Sequence, residues 1–136
     1  MPRNHGFTLI ELVIAIAIIG LIGAALMPNM AKLTFKAKET ASANVARSVQ
    51  VALESYRLDT GTYPEGDNTP LDPLIEVLQT GNYLSSTSLK NPFTGKAYSA
   101  SDSSGRILYT YDADTDHYVI EVYGNGNRTV THTLTN

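Results

Sequence analysis

Hydrophobic and polar positions divide this chain into three regimes. It reads Phe7-Thr8-Leu9-Ile10-Glu11, then apolar without a break from Leu12 to Met27, with Pro28 next. As a helix, the 21-residue run Phe7–Met27 spans about 31 Å at about 1.5 Å per residue, the thickness of a bilayer core. Beyond Pro28 the pattern becomes amphipathic. Phe35, Ala41, Val45, Val49, Ala52, Leu53 and Tyr56 recur at helical spacings and form one stripe. This helix is predicted to end at Arg57 or Asp59 and to stop at Gly61, with Pro64 beyond. Many of its other positions are Ala, Ser or Thr, small enough for close approach of further helices. The remainder breaks into short pieces. Pro73 to Gln79 predicts a short helix closed by Gly81, and Asn91-Pro92-Phe93-Thr94-Gly95 is turn chemistry. Arg106–Tyr111, His117–Tyr123 and Arg128–Leu134, rich in Ile, Val, Tyr and Thr, predict a three-stranded antiparallel meander. Tyr118, Ile120 and Val122 share one face of the middle strand, the face expected to lie against the long helix. The expected fold class is α+β, a long N-terminal helix packed on a small C-terminal antiparallel sheet.

Glu11 is the anomaly in this pattern. A charge within a bilayer costs roughly 2.5–3.5 kcal/mol on insertion scales, so a retained carboxylate needs a use or a partner. It lies one helical turn from Phe7, on the same face. The plain alternative is a carboxylate that snorkels to the headgroups. Gly20 and Gly23 weaken the apolar helix, and Pro28 lacks an N–H and crowds the carbonyl of Ala24, so a kink or loosening is expected there. Glycines in membrane helices also serve as close-packing sites. A secretory signal peptide competes with a retained helix. Arg3 is its only positive n-region residue, and Gly23-Ala24-Ala25 is a poor cleavage site.

The order Gly6, Phe7, Thr8-Leu9-Ile10, Glu11 resembles the N-terminus of type IV prepilins and pseudopilins. The resemblance implies cleavage between Gly6 and Phe7 by a dedicated membrane peptidase and methylation of the new Phe7 amine. The apolar helix then stays in the working protein. It further implies that Glu11 of one subunit pairs with the Phe7 amine of the next, setting register in assembly, and that the segment from Gly20 to Pro28 loses helical structure on packing into a filament. The head is similar to major pseudopilins of type II secretion and to short pilins like them. The likeness rests on Tyr56-Arg57-Leu58-Asp59-Thr60-Gly61-Thr62-Tyr63-Pro64, on Asn91-Pro92-Phe93-Thr94-Gly95-Lys96-Ala97-Tyr98, and on the meander with Gly124-Asn125-Gly126-Asn127. The chain has no cysteine, which departs from pilins whose C-terminal loop is closed by a disulfide and fits the pseudopilin-like group better. The expected organisation is a cleaved leader at 1–6, a membrane or filament-core helix at 7–28, an amphipathic helix at 29–61 and a globular head at 62–136.

Charge qualifies this picture. Lys32, Lys36 and Lys38 follow the apolar run while only Arg3 precedes it, so charge alone puts the C-terminal side in the cytoplasm. The resemblance puts it outside, as a single-pass inner-membrane precursor that passes into an extracellular pilus or a periplasmic pseudopilus. From Thr62 onward nine acidic residues face four basic ones, a balance of −5, a poor match to phosphates, and no nucleic-acid binding is expected of the head.

Candidate chemistry is sparse. Asp112, Asp114 and Asp116 have the D-x-D-x-D spacing that opens a calcium loop, but His117 replaces the required glycine and Tyr123 the bidentate acid. Resemblance to calcium-holding pseudopilins keeps a cation open here or near Asn125 and Asn127; the alternative is a solvated turn. His117 and His132 fall on candidate strands with no nucleophile at a recognisable spacing, so no enzyme is expected. The reading is a structural filament subunit. Its partners are other copies of itself, prepilin peptidase, and an inner-membrane assembly platform with its ATPase. A surface pilin, a major pseudopilin of type II secretion, and a non-polymerising membrane-anchored binding module or adhesin remain distinct alternatives.

Overall fold

The computed structural model describes residues 6–85 and 89–136, and of position 28 the backbone alone. The predicted leader, including Arg3 and His5, lies outside the described residues except for Gly6. Helix α1 runs Leu9–Thr60, two helices of the sequence pattern merged into one element. Its backbone stays helical through Gly20, Gly23 and position 28, so the loosening expected at Pro28 is absent from the isolated chain. The chain divides into two units, Met1–Thr34 and Phe35–Asn136, each described by itself.

The first unit has no core among its described residues. Side chains are exposed throughout, Ile10 at 61% and Leu21 at 75% among them. The second unit holds the core. Ala46, Val49, Ala52 and Leu53 of α1 join Tyr63, Leu71, Leu74, Leu78, Ile107, Tyr109, Tyr118, Ile120 and Val122. The inner face of α1 holds Val49, Ala52 and Leu53 of the predicted stripe, with Val45 and Tyr56 packed against the core, and departs from that stripe toward its N-terminal end. Phe35 is 45% exposed and Ala41 half-buried, while Ser42, Ala43 and Ala46 are buried.

Gly61, in the left-handed region at φ 86°, ends α1 by donating its N–H to the Arg57 carbonyl at 2.8 Å. The short helix, α2, spans Leu71–Thr80, starting two residues before the predicted Pro73. Proline is tolerated in a first turn, where its missing N–H has no helical partner to lose. Leu71, Leu74 and Leu78 form its buried face.

The sheet has four strands, not three, in the order β1-β2-β3-β4 and antiparallel throughout. β1 is Thr69–Pro70, β2 Ile107–Asp112, β3 His117–Tyr123 and β4 Val130–Thr135. The unforeseen β1 is two residues long and contains a proline, which gives no period-2 signal. Gly124 to Asn127 is not a tight hairpin. Asn125–Asn127 forms a 3-10 turn with Gly126 at φ 71° and Asn127 at φ 50°, which delays β4 to Val130. Tyr118, Ile120 and Val122 are all fully buried, as their shared face predicts.

Candidate assembly site

The N-terminus of α1 is built by a reciprocal cap. Thr8 precedes the first helical residue, and Glu11 is the third within it. The Thr8 N–H and hydroxyl both donate to Oε2 of Glu11, at 2.9 and 2.8 Å, and the Glu11 N–H donates to the Thr8 hydroxyl at 3.3 Å. Two N–H groups that an α-helix leaves without backbone partners are thereby satisfied. The Thr-x-x-Glu spacing was legible as a capping box; the apolar context drew attention to Glu11 as a charge instead. The cap holds the carboxylate on one oxygen. Oε1 has no hydrogen-bond partner among the described residues. Phe7, next to the cap, is 87% exposed. Gly20 and Gly23 have nothing within 4 Å of where a Cβ would stand. Among the described residues no contact requires their smallness, and they form notches on an exposed apolar surface. Gly6, Phe7, Glu11, Gly20 and Pro28 all lie at or along the N-terminal half of α1.

A second polar constellation lies at the other end of α1 and was not foreseen. Glu54 accepts hydrogen bonds from the Tyr63 hydroxyl at 3.0 and 3.1 Å and from the Tyr118 hydroxyl at 2.9 Å. Arg57 lies over the Tyr63 ring, 5.0 Å from its centroid, and pairs with Asp116. Asp116 also accepts from the Tyr111 hydroxyl at 3.0 Å. The rings of Tyr63 and Tyr118 meet edge to face at 4.7 Å. Burial, and then the bond to Glu54, raises the Tyr63 hydroxyl pKa above the usual tyrosine value; burial raises that of Tyr118 too. Both hydroxyls therefore remain donors across the neutral range. The network fixes the end of α1 to the β2–β3 turn. Its members are separated in sequence by up to 64 residues, so spacing carries no sign of it.

The aspartates of the same turn are engaged within the chain. Asp112 accepts the Asp114 N–H at 3.0 Å and the Thr115 hydroxyl at 2.8 Å. These bonds, the hydroxyl first, hold its pKa below the ordinary aspartate value. Asp116 faces Arg57, and Asp114 is exposed. Asn125 lies beyond the opposite end of β3, where it accepts the Ser104 hydroxyl at 3.1 Å. Asn127 caps the Arg106 N–H at 3.1 Å and donates to the Asp102 carbonyl. These side chains stabilise turns. Among the described residues no three His, Cys, Asp or Glu side chains gather as metal ligands.

Comparison with known proteins agrees with both parts of the molecule. A family model described as "Prokaryotic N-terminal methylation motif" matches residues 1–27. A second, "Type II secretion system (T2SS), protein G", matches residues 29–134. A fimbrial protein of Neisseria meningitidis serogroup B is 34% identical over 88 residues, 65% of this chain and 51% of that protein. The type II secretion system core protein G of Pseudomonas aeruginosa is 34% identical over 80 residues, covering 59% and 55%. The type IV major pilin PilA of Myxococcus xanthus is 36% identical over 67 residues, covering 49% and 30%. The chain thus spans between 30% and 55% of the length of these last two relatives and 51% of the first. No solved structure matches it. The methylation motif, the long apolar helix and the protein G head together make this chain a member of the type IV pilin and type II secretion pseudopilin family, a family of structural subunits.

Proposed function

We propose that the protein is the structural subunit of a bacterial type IV filament. Prepilin peptidase cuts between Gly6 and Phe7 and methylates the Phe7 amine. The helix at 7–28 holds the precursor in the inner membrane with its head outside the cytoplasm. An assembly platform and its ATPase then draw the subunits into a helical pilus. The observation that carries this reading is the exposed apolar surface of 9–27 with one carboxylate in it. Each large side chain on that surface gains about 1.5–3 kcal/mol on leaving water, so the surface calls first for lipid and then for the helices of neighbours. Glu11 keeps one oxygen uncommitted, and a methylated Phe7 amine from the next subunit is a cation of the right size and position in sequence for it.

Glu11→Ala is expected to leave cleavage and insertion intact and to abolish filaments. Normal filament yield from that variant refutes the pairing. Intact mass of material sheared from native cells tests the whole reading, which expects a chain beginning at methylated Phe7. One observation favours a second reading, a major pseudopilin of type II secretion: the protein G model covers 29–134, nearly all of the head. On that reading the processed chain stays with the cell envelope and is missing from the sheared fraction.

A further inference from the structure

The 3-10 turn after β3 carries a reactive sequence. Asn125-Gly126 is the single Asn-Gly step in the chain, and every other asparagine with a successor precedes a larger residue. The carboxamide of an asparagine is open to attack by the next backbone nitrogen, and glycine at that next position has no side chain to crowd the ring that forms. Asn125 and Gly126 are both exposed, and nothing lies within 4 Å of where a Gly126 Cβ would stand. Water therefore reaches the step from outside.

One side chain holds both reacting groups. The Gly126 N–H donates to Oγ of Ser104 at 2.9 Å, and the same hydroxyl donates to Oδ1 of Asn125 at 3.1 Å. Nucleophile and electrophile thus share a single oxygen. Attack requires the nitrogen to lose its proton. A serine hydroxyl is far too weak a base to take it, so the clasp must open before hydroxide can. The loop beside the turn is held without the clasp. Asn127 accepts the Arg106 N–H at 3.1 Å and donates to the Asp102 carbonyl at 2.6 Å, and the Ser104 carbonyl accepts from Nδ2 of Asn91 at 2.8 Å. Among the described residues Oγ of Ser104 has no other partner.

We propose that Asn125 is a modification site, converted to aspartate and isoaspartate by its own backbone at a rate set by the Ser104 clasp. When the turn opens, hydroxide removes the Gly126 amide proton. The nitrogen bonds to Cγ of Asn125, the bond from Cγ to the side-chain amine breaks, and that amine leaves as ammonia with a proton from water. Water then opens the five-membered imide. Attack at Cγ gives aspartate, and attack at the backbone carbonyl carbon gives isoaspartate. In sum, water is consumed and ammonia released, with no change of oxidation state. Both products add a negative charge to a head already at −5. Isoaspartate also reroutes the backbone through Cβ and Cγ, which lengthens the turn by one carbon. Surface turns open locally at low free energy, so the conversion records how often this one has opened. The chemistry needs neither membrane nor filament.

The test ages the full-length chain in native membranes at neutral pH and follows one peptide. Trypsin cuts after Arg106 and next after Arg128, so Asn125 and Asn127 fall on the same fragment and Asn127 is an internal reference. Mass spectrometry reads the change from carboxamide to carboxylate at each position, and chromatography separates the two acids. In the folded chain Ser104→Ala is expected to convert Asn125 about tenfold faster than the parent or more, as loss of two hydrogen bonds of ordinary net strength implies. Ser104→Thr, which keeps the hydroxyl, is expected to convert at the parent rate. In denaturant the parent and Ser104→Ala are expected to convert equally fast, and the folded parent to lag its own unfolded state by about tenfold or more. That last comparison tests the gate even where Ser104→Ala disturbs the fold. Equal rates for folded parent and folded Ser104→Ala overturn the proposal. So does a folded parent as fast as the unfolded one, a Ser104→Thr variant as fast as Ser104→Ala, or conversion at Asn127 that keeps pace with Asn125.

Discussion

The two halves of α1 share one helical backbone and obey different rules. From Leu9 to Thr34 apolar residues point in every direction, and all that are described are exposed. From Phe35 to Thr60 the same backbone has sides. Ala46, Val49, Ala52 and Leu53 are sealed under the sheet, while Val51 and Leu58 stand 68% and 86% exposed. Helices that are hydrophobic all round belong in lipid or inside a larger assembly, and helices with one apolar stripe belong on a globular core. One element thus carries two solvents' worth of instructions. The first half is unsatisfied as an isolated chain, and the second half is complete.

The sharpest way to test that contrast is to make the same substitution in each half. Leu53→Ala removes a fully buried side chain and is expected to destabilise the head by about 2–5 kcal/mol in chemical denaturation. Leu12→Ala, at a position 59% exposed, is expected to leave that denaturation curve where it was and to act only on membrane retention or assembly. Equal losses from the two would mean that the first half is part of the head's cooperative unit.

The polar ends of α1 give the next comparison. Glu54→Ala leaves the buried Tyr63 and Tyr118 hydroxyls without their acceptor, at an expected cost of about 1–3 kcal/mol. Glu54→Gln keeps an acceptor oxygen and is expected to cost less than half as much. At the other end, Thr8→Ala removes the cap and is expected to fray the first turn of α1. A lost cap is worth about 1 kcal/mol, read by amide exchange at residues 9–12 in a membrane mimetic, with no change in head stability.

How much of this was legible in the chain depends on how local each signal is. The apolar run, Gly6-Phe7, Glu11 and the strand His117–Tyr123 are contiguous patterns, and the structure bears out the helix and the strand with the expected buried face. The stripe of the amphipathic half is borne out at Val49, Ala52 and Leu53 and misses only at its N-terminal end, where hydrophobicity was weighted over size. Ser42, Ala43 and Ala46 are buried, while the large Phe35 stays 45% exposed. β1 was missed because two residues have no period, and it exists only because Thr69 and Pro70 lie beside Tyr109 and Leu108. The Glu54 network was invisible because its partners meet only after folding. The turn aspartates were open in sequence to a cation or a plain turn; their oxygens bond Asp114, Thr115, Tyr111 and Arg57.

Asp112 offers the smallest effect and a clean sign. Its pKa is lowered in the folded chain by the Thr115 hydroxyl and the Asp114 N–H, so the folded state prefers the ionised form. A depressed carboxylate contributes stability that is fully present above its unfolded value of about 3.9 and is lost as pH falls through the folded value. Asp112→Ala is therefore expected to lower the melting temperature slightly at pH 7, and the gap from the parent is expected to shrink as pH is taken below 4 toward 2. The side chain is solvent-exposed and the bonds are local, so the shift at pH 7 is expected to be smaller than for Leu53→Ala or Glu54→Ala. A gap that widens with acid would mean that the turn binds a proton on folding, and that Asp112 is held by a neighbouring carboxylate instead of by Thr115 and Asp114.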